Sequence, residues 1–439
     1  MPAENLGRVA VRDWIAELLL AEDFSLSRTP LAGSKEWSLQ NGVIRHRTGR
    51  FFSVVGIRAI QHNGSAIEQP LLDQREIGTL ALIVRRSAHA MEVLVQAKAE
   101  PGNVGIFQLA PSFQATASNT AQAHGGEPPP MAEWFADIRR GTLVADSLQS
   151  EQGTRFLGKR NRNCTLHVSG DVVHGLYHSW LPARDLCALL GQDYLLNTDL
   201  RSTLLCSDWD SLAMGKPFSG AGFAEKLLLS NRLVEDRAWE PLQGVLEELR
   251  RPAPWRSAPE MVSLGRLRGW RLTADGMEPE TGRPFDVCHV QVRSLSREVK
   301  MWEQPIVQSA GCGNILLPMG YWNDAPHFLF QTVAEPGFGS RMELTPAITV
   351  EPGDMKDSGE FGDSLAKDGR VLISCLQSEE GGRFLFDENW YVIADVGPVM
   401  EPPQGYHWLS LAQIRELLRR GECFTNEARS ALSLLLTWL

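Results

Sequence analysis

Lysine and arginine crowd into one short stretch of an otherwise acidic chain. The 439 residues carry 43 Lys and Arg against 53 Asp and Glu, a formal net charge of −10, yet Lys159, Arg160 and Arg162 are nearly consecutive. In an extended strand Arg160 and Arg162 would share one face, with Lys159, Asn161 and Asn163 on the other. Two guanidiniums on one face suit a phosphate or diphosphate, because the planar fork binds oxygens bidentately. A solvated hairpin and a localisation signal are the alternatives.

A second set of polar side chains alternates with apolar ones along the stretch EVLVQAKAE. The odd-numbered positions of 93–99 are apolar and suit a core, whereas Gln96, Lys98 and Glu100 share the opposite face. That face is either solvated or one wall of a pocket. The pattern alone favours a solvated face.

These residues belong to the first copy of an internal duplication. The matching blocks are too long and too far apart for a solenoid repeat, so two similar domains are expected. They recur in the same order: WSLQNGVIRHRTGRFF from Trp37 and WRLTADGMEPETGRPF from Trp270, LVQAKAEPG and LFQTVAEPG, LQSEQGTRFL and LQSEEGGRFL, and finally NTDLRSTLL and TNEARSALS.

The elements that must position the polar residues mix strands and helices. GTLALIVRRS, MEVLVQAKAE and TRFLGKRNRNCTLHV predict strands, whereas LPARDLCALLGQ and LSLAQIRELLRRG predict helices. Strands followed by helices in each copy favour an α+β fold with a mixed or antiparallel sheet. We place an N-terminal domain at 1–207, a helical and Pro-rich connector at 208–262 and a C-terminal domain at 263–439.

Composition argues against several classes of protein. The absence of an 18-residue apolar run predicts no transmembrane helix, and MPAENLGRVAVRDWIAELLL predicts an amphipathic helix rather than a signal peptide. Seven Cys without a CxxC pair favour a reducing cytoplasm over a disulfide framework or structural zinc. The negative charge disfavours a nucleic-acid surface. His174 and His178 lie in a strand-like context rather than on a helix face, which argues against a metal site.

Comparison of the two copies separates shared groups from unshared ones. Lys98 is replaced by Val333, Gln114 by Thr349, and GKRNRN by FDENWY at 386–391. Groups found only in the first copy are therefore the better candidates for chemistry, although drift on a solvated face would give the same contrast. Groups kept by both copies indicate scaffold or a shared nucleotide contact. The kept pairs are Gln96 and Gln331, Glu100 and Glu335, Gln149 and Gln377, Glu151 and Glu379, and Arg155 and Arg383.

At these residues the sequence resembles the NDP-hexose 2,3-dehydratases of deoxysugar biosynthesis. The phrases that carry the resemblance are REIG, LVQAKAEPGN, QLAPSFQATASN, HGG, LQSEQG and KRNRN, followed by AEPG and LQSEEGGRF in the second copy. The resemblance implies two tandem Nudix-like domains, a homodimer, and one catalytic pocket per subunit beside a remnant duplicate. The acidic Nudix box that holds Mg²⁺ should be missing. In its nearest approach, SREVKMWE, Met301 and Trp302 stand where two Glu would be needed.

The resemblance also implies a reaction. A dTDP-4-keto-6-deoxyhexose would lose its C2 hydroxyl as water and give a 3,4-diketo-2,6-dideoxyhexose nucleotide. Because the 4-keto group acidifies the C3 proton, the site needs a base, an acid, a donor near O4 and a diphosphate clamp. No redox cofactor is needed, because the oxidation at C3 is internal, and no metal is expected, because the His residues show no metal-ligand spacing. An NAD(P)H-dependent 3-ketoreductase would consume the unstable product in the cytoplasm, as in antibiotic biosynthesis.

These requirements give a set of candidate residues. We expect Lys98 to stabilise the enolate near O4, Glu151 or Glu76 to act as the base, and His124 as a possible acid. Glu76 could instead form an ion pair with Arg75. A nucleotide-sugar hydrolase, which would need a divalent metal, and a non-catalytic nucleotide-sugar-binding protein are the alternative functions. The candidate substrate-binding residues, in which Arg160 and Arg162 form the diphosphate clamp, are Arg75, Gln96, Gln114, Asn119, Gln149, Arg160, Arg162 and Asn163.

Overall fold

The computed structural model describes residues 10–122, 125–136, 140–281, 284–352 and 369–439. We call the residues up to 207 the first half and those from 263 the second half. The helices in the described part are α1 Ala10–Ala21, α2 Ala117–Thr120, α3 Ala132–Ala136, α4 Ala183–Ala188, α5 Thr198–Leu205, α6 Trp209–Leu212, α7 Phe223–Asn231, α8 Leu242–Leu249, α9 Leu411–Arg420 and α10 Asn426–Ser433.

The strands run through both halves. Those up to residue 182 are β1 Ser25–Arg28, β2 Trp37–Gln40, β3 Val43–His46, β4 Ser53–Ile60, β5 Ala66–Asp73, β6 Gly78–Arg86, β7 Met91–Ala99, β8 Phe107–Ala110, β9 Phe113–Ala115, β10 Thr142–Ser150, β11 Arg160–Val168 and β12 His178–Pro182. The later ones are β13 Glu260–Val262, β14 Trp270–Leu272, β15 Gly276–Pro279, β16 Phe285–Arg293, β17 Met301–Ser309, β18 Cys312–Trp322, β19 Ala325–Val333, β20 Glu343–Pro346, β21 Ile348–Val350, β22 Arg370–Ser378, β23 Glu388–Pro398 and β24 Tyr406–Ser410.

Two seven-stranded sheets share one plan. In the first half the order is β10-β11-β6-β7-β12, with β8 on β7 and β9 on β6; in the second it is β22-β23-β18-β19-β24, with β20 on β19 and β21 on β18. Each sheet contains a parallel pair, β11 with β6 and β23 with β18, and antiparallel pairs elsewhere. The sheets are therefore mixed, which confirms the α+β prediction.

Two five-stranded sheets interlock the halves. One is built on β2, β3, β4 and β5, and the other on β14, β15, β16 and β17. Each takes its remaining strand from a distant part of the chain, because β13 pairs with β4 and β1 pairs with β16. Neither half completes its own sheet.

Strand β7 is covered on both faces, so the preference for a solvated face was wrong. Val93 and Val95 pack into the main core, and Leu94 packs into a second core on the opposite face. Lys98 and Glu100 on that opposite face are 7% and 3% exposed. Sheets covered on both sides bury both sets of alternating side chains, and here Lys98 and Glu100 line a cavity.

Motifs kept by both copies join the halves. The backbone N–H of Gly102 in the first AEPG donates to the carbonyl of Gly381 at 2.8 Å, and Gly337 in the second AEPG donates to Gly153 at 2.8 Å. A Cβ on Gly102 or Gly337 would collide with a backbone carbonyl oxygen of the other half, so only glycine permits this approach. These glycines serve as scaffold.

Buried arginines make the same kind of contact. Arg201 donates to the carbonyl of Ser378 at 3.1 Å, and Arg429 donates to the carbonyl of Ser150 at 2.6 Å.

Among the described helices, none is both long and apolar enough to span a membrane.

Candidate functional site

A cavity of about 200 Å³ lies where the halves meet. The first half contributes residues of β6, β7, β9 and β11, and the second half contributes the segment 297–304 and the loop between β22 and β23. Aromatic rings of Trp37, Phe51, Phe52 and Trp302 form part of the wall. Its ionisable side chains are Lys98, Glu100, Lys159, Asp199, Arg297, Glu298, Glu303, Glu380 and Arg383.

Lys98 enters the cavity from the end of β7. Its Nζ lies 3.3 Å from Oε1 of Glu100 and 3.4 Å from the backbone oxygen of Gln114. The amide of Gln114 also donates to Glu100 at 3.4 Å, while the second oxygen of Glu100 has no partner among the described residues. A buried ammonium is therefore held at the wall with its remaining donor capacity open to a ligand.

Lys159 and Glu380 form an ion pair across the two halves. Nζ of Lys159 donates to Oε2 of Glu380 at 3.0 Å and lies 4.4 Å from the ring centre of Phe156. Burial raises the pKa of Glu380, but Lys159 and Arg383 outweigh burial and hold that pKa below its ordinary value. Glu380 is therefore an ionised carboxylate at neutral pH and can accept a proton.

The pKa of Asp199 is shifted in the opposite direction to that of Glu380. Asp199 lies in the first turn of α5, which Asn197 caps by accepting from the N–H of Leu200 at 2.8 Å. Burial, and then the neighbouring charge of Glu380, raise the pKa of Asp199 well above its ordinary value. The pKa values of two carboxyls in one cavity are thus shifted in opposite directions, a common arrangement for an acid and a base.

Arg297 and Arg383 add two guanidiniums to the wall. Arg297 donates through Nη1 to the carbonyl of Ala99 at 2.9 Å, and Arg383 donates through Nε to Gln74 at 3.1 Å. Nη2 of each arginine makes no hydrogen bond to the described residues, so each fork keeps donors for an anion. The guanidinium of Arg383 also stacks 4.4 Å from the ring of Phe52.

The sequence-predicted residues divide between the cavity and other positions. Lys98, Gln114 and Asn119 line the cavity. Arg160 lies outside it, 41% exposed and 3.5 Å from Glu422. Arg162 also lies outside, paired with Asp146.

The placement of Arg160 and Arg162 corrects the diphosphate clamp assigned to them. Arg162 donates to Asp146 at 2.7 and 2.8 Å. The separation of the two strand faces was right, but the cavity lies on the face of Lys159 and Asn161. The alternation of β11 directs Arg160 and Arg162 to the other side of the sheet.

Glu151 lies behind the cavity wall rather than in it. Its oxygens accept from the side-chain amides of Asn161 and Asn426, both at 2.7 Å. Burial raises the pKa of Glu151. The carboxyl of Glu151 orients the side chain of Asn161, which lines the cavity. Gly78 packs against the same side chain, because a Cβ at position 78 would collide with the side-chain oxygen of Asn161.

Glu76 and Arg75 do not pair with each other. Glu76 accepts from the backbone N–H and the hydroxyl of Ser118, both at 2.8 Å, close to the start of α2. Arg75 instead donates to Asp73 at 2.9 and 3.0 Å. Neither side chain lines the cavity.

The remaining predicted residues have other surroundings. Gln149 donates to the carbonyl of Leu418 at 2.9 Å and so fixes α9. Asn163 donates to the carbonyl of Asn161 at 3.2 Å. Gln96 is half-buried on β7 and does not line the cavity, and His124 lies outside the described residues.

A much smaller cavity of about 20 Å³ occupies the matching position in the second half. Its wall includes Glu351, Asp387 and Glu427. Asp387 stands where the first half has Lys159, and burial raises its pKa to about 6. Burial likewise raises the pKa of Glu427 to about 8. The replacement of Lys98 by Val333 and of GKRNRN by FDENWY had indicated that the second copy lacks these cationic side chains.

Glu380 was not among the sequence-predicted residues, and Arg383 was named only as a group kept by both copies. They belong to the second copy, which was expected to hold only a remnant pocket, yet the LQSEEGGRF loop crosses into the first cavity. The corresponding loop of the first half places Gln152 in the smaller cavity. The change from LQSEQG to LQSEEG was a visible signal, because it exchanges an amide for a carboxylate.

Sequence comparisons identify the same family of proteins across almost the whole chain. A family model for NDP-hexose 2,3-dehydratases matches residues 8–207 and 245–435. A protein of Streptomyces violaceoruber is 34% identical over 437 residues, 96% of this chain and 95% of the relative. Relatives from Amycolatopsis orientalis and Saccharopolyspora spinosa are 32% and 31% identical, covering 96% and 95% of this chain and 89% of each relative. All three are named dTDP-4-dehydro-6-deoxy-α-D-glucopyranose 2,3-dehydratase.

Proposed function

The chain belongs to the NDP-hexose 2,3-dehydratase family, and on that premise we propose that it removes the C2 hydroxyl as water from a dTDP-4-keto-6-deoxyhexose. The product is a 3,4-diketo-2,6-dideoxyhexose nucleotide. The observation that carries the proposal is one cavity holding four cationic side chains and two carboxyls, Glu380 and Asp199, whose pKa values are shifted down and up respectively.

Proton abstraction is assigned to Glu380. It takes the C3 proton, and the electron pair moves through C4 to O4, where Lys98 stabilises the enolate. A positioned base contributes roughly 10²–10⁴-fold to the rate. Removing a donor to a developing oxyanion costs about 3 kcal/mol.

Expulsion of the hydroxyl is assigned to Asp199. The enolate pushes out the C2 hydroxyl, which takes the proton of Asp199 and leaves as water. The resulting C2–C3 enol then becomes the 3-ketone by gaining a proton at C2 and losing the proton of the C3 hydroxyl. Glu380 and Asp199 replace Glu151 and Glu76 in these roles because both line the cavity and their pKa values are shifted in opposite directions, whereas His124 lies outside the described residues.

The nucleotide part of the substrate is assigned to the arginines and the aromatic rings. Arg297 and Arg383 hold the diphosphate, since each guanidinium keeps a free Nη2. Trp302 offers a ring on which the base can stack. Gln114 and Asn119 remain candidates for sugar contacts.

The proposal extends to the origin and setting of the protein. The matching strand orders support a duplication that produced two Nudix-like domains, at 1–207 and 263–439, joined by a connector at 208–262. We also propose that the protein is a homodimer in the cytoplasm. A downstream NAD(P)H-dependent 3-ketoreductase would then reduce its product, as in antibiotic biosynthesis. Size-exclusion chromatography with light scattering tests the dimer.

Mass spectrometry of the protein incubated with dTDP-4-keto-6-deoxyglucose tests the reaction. Loss of one water with the diphosphate intact is the expected result. Release of nucleoside monophosphate would instead indicate a hydrolase. A ligand-dependent rise in melting temperature without any product would indicate a binding protein.

A further inference from the structure

One wall of the cavity is a turn that has no counterpart in the smaller cavity. Residues 294–300, which we call the Arg297 turn, connect β16 to β17 and bring Arg297 and Glu298 to the cavity. The corresponding turn of the first half, residues 61–65, lines neither described cavity. The Arg297 turn is therefore specific to the site assigned to catalysis.

The Arg297 turn is closed by its own hydrogen bonds. The N–H of Ser294 donates to the carbonyl of Lys300 at 3.1 Å. Nζ of Lys300 donates to the carbonyls of Leu295 and Arg297 at 2.6 and 2.8 Å. These contacts set the shape of the turn but not its height over the cavity.

The carboxylate of Glu22, which belongs to the first half and lies outside the cavity, accepts hydrogen bonds from the turn. Oε1 of Glu22 accepts from the hydroxyl of Ser294 at 2.9 Å and the N–H of Leu295 at 2.6 Å, and Oε2 accepts from the N–H of Ser296 at 3.1 Å. Charge-assisted bonds of this kind are stronger than neutral ones. Glu22 thus holds three donors of the turn at once.

Glu22 is itself anchored to the sheet that carries Lys98. It directly follows α1, whose Val11, Trp14 and Leu18 are buried in the core under that sheet. On the far side of the turn, Arg297 reaches the carbonyl of Ala99, the residue after Lys98. The turn is therefore tied to the first half at two points.

We infer that Glu22 is a positioning residue that holds the Arg297 turn at the height where Arg297 can meet the diphosphate of the substrate. This inference rests on the proposed function. Without Glu22 the turn can still form, but Arg297 must be ordered when the ligand binds. Ordering one flexible side chain weakens binding by about 2- to 12-fold.

The test measures turn mobility and nucleotide binding separately. Hydrogen exchange of Glu22→Ala, without ligand, should be faster across 294–302 and unchanged across 61–65. Calorimetry with dTDP should show weaker binding in Glu22→Ala. Asp23→Ala is the matched control, because its exposed ion pair with Arg293 is worth little and does not touch the turn.

A double variant tests whether Glu22 acts through Arg297. Arg297→Ala combined with Glu22→Ala should bind dTDP no more weakly than Arg297→Ala alone, because coupled residues are not additive. Glu22→Gln keeps one acceptor oxygen and should give a smaller effect, which guards against a folding defect in Glu22→Ala.

The possible failures differ from one another. Unchanged exchange in 294–302, equal dTDP affinity in Glu22→Ala and the unaltered protein, or full additivity with Arg297→Ala would each overturn the inference alone. An unaltered protein that binds no dTDP would overturn the proposed function, and the inference with it.

Discussion

Replacing Glu380 by Gln tests the assignment of the base. The change keeps the shape of the side chain but removes the carboxylate that lies 3.0 Å from Lys159. If Glu380 takes the C3 proton, kcat should fall by about 10²–10⁴-fold. Each factor of ten corresponds to about 1.36 kcal/mol, so the barrier should rise by about 3–5 kcal/mol.

Binding should respond differently from turnover. The cavity contains four cationic side chains and five carboxyl groups, and burial raises the pKa of Asp199 among them. Glu380→Gln therefore leaves the wall one charge more positive, and affinity for dTDP should hold or increase. A loss confined to kcat is the mark of an interaction made only in the transition state.

A separate control is needed for the effect of Glu380→Gln on folding stability. Lys159 is 4% exposed, and removing the partner of a buried charge can cost about 3–5 kcal/mol. The double variant Lys159→Met/Glu380→Gln removes both charges, so it should recover melting temperature without recovering turnover.

Deuterium incorporation at C3 is the decisive assay, because it follows proton abstraction apart from water loss. The unaltered protein in D₂O should exchange the C3 proton, and Glu380→Gln should not. Exchange at the normal rate in a folded Glu380→Gln would refute the assignment and return the search for the base to other cavity residues.

Four further outcomes are expected. Arg383→Ala should weaken dTDP binding by about 10- to 150-fold, the worth of a charge-assisted hydrogen bond, whereas Arg162→Ala should leave calorimetric affinity unchanged; the reverse would restore the first clamp. Asp199→Asn should lower kcat, whereas Glu427→Gln should not, because burial raises the pKa of Glu427 to about 8 and an amide resembles the protonated acid. For the same reason, stability in urea should fall as pH rises from 4.5 toward about 8, and Glu427→Gln should flatten that fall. Turnover should survive EDTA, since Lys98 supplies the charge at O4; loss that Mg²⁺ reverses would contradict this.

Local pattern was enough to predict the elements and the faces. Alternation along β7 separated the core positions from Lys98 and Glu100, and alternation along β11 separated Lys159 and Asn161 from Arg160 and Arg162. Periodicity likewise predicted the helix that the structure begins at Leu411, where Ser410 and Gln413 form a capping box. The replacement of Lys98 by Val333 correctly pointed to Lys98 as a cavity residue.

Only the tertiary structure decided which face of β11 meets the cavity and which loop closes it. Periodicity assigns side chains to faces, but it does not say what covers each face, so the choice of Arg160 and Arg162 followed charge alone. Glu380 lies 221 positions from Lys159, and no local pattern can report an ion pair formed by a loop that crosses between halves. The sequence by itself determined the parts and their sidedness; the packing of one half against the other determined which of those parts share a site.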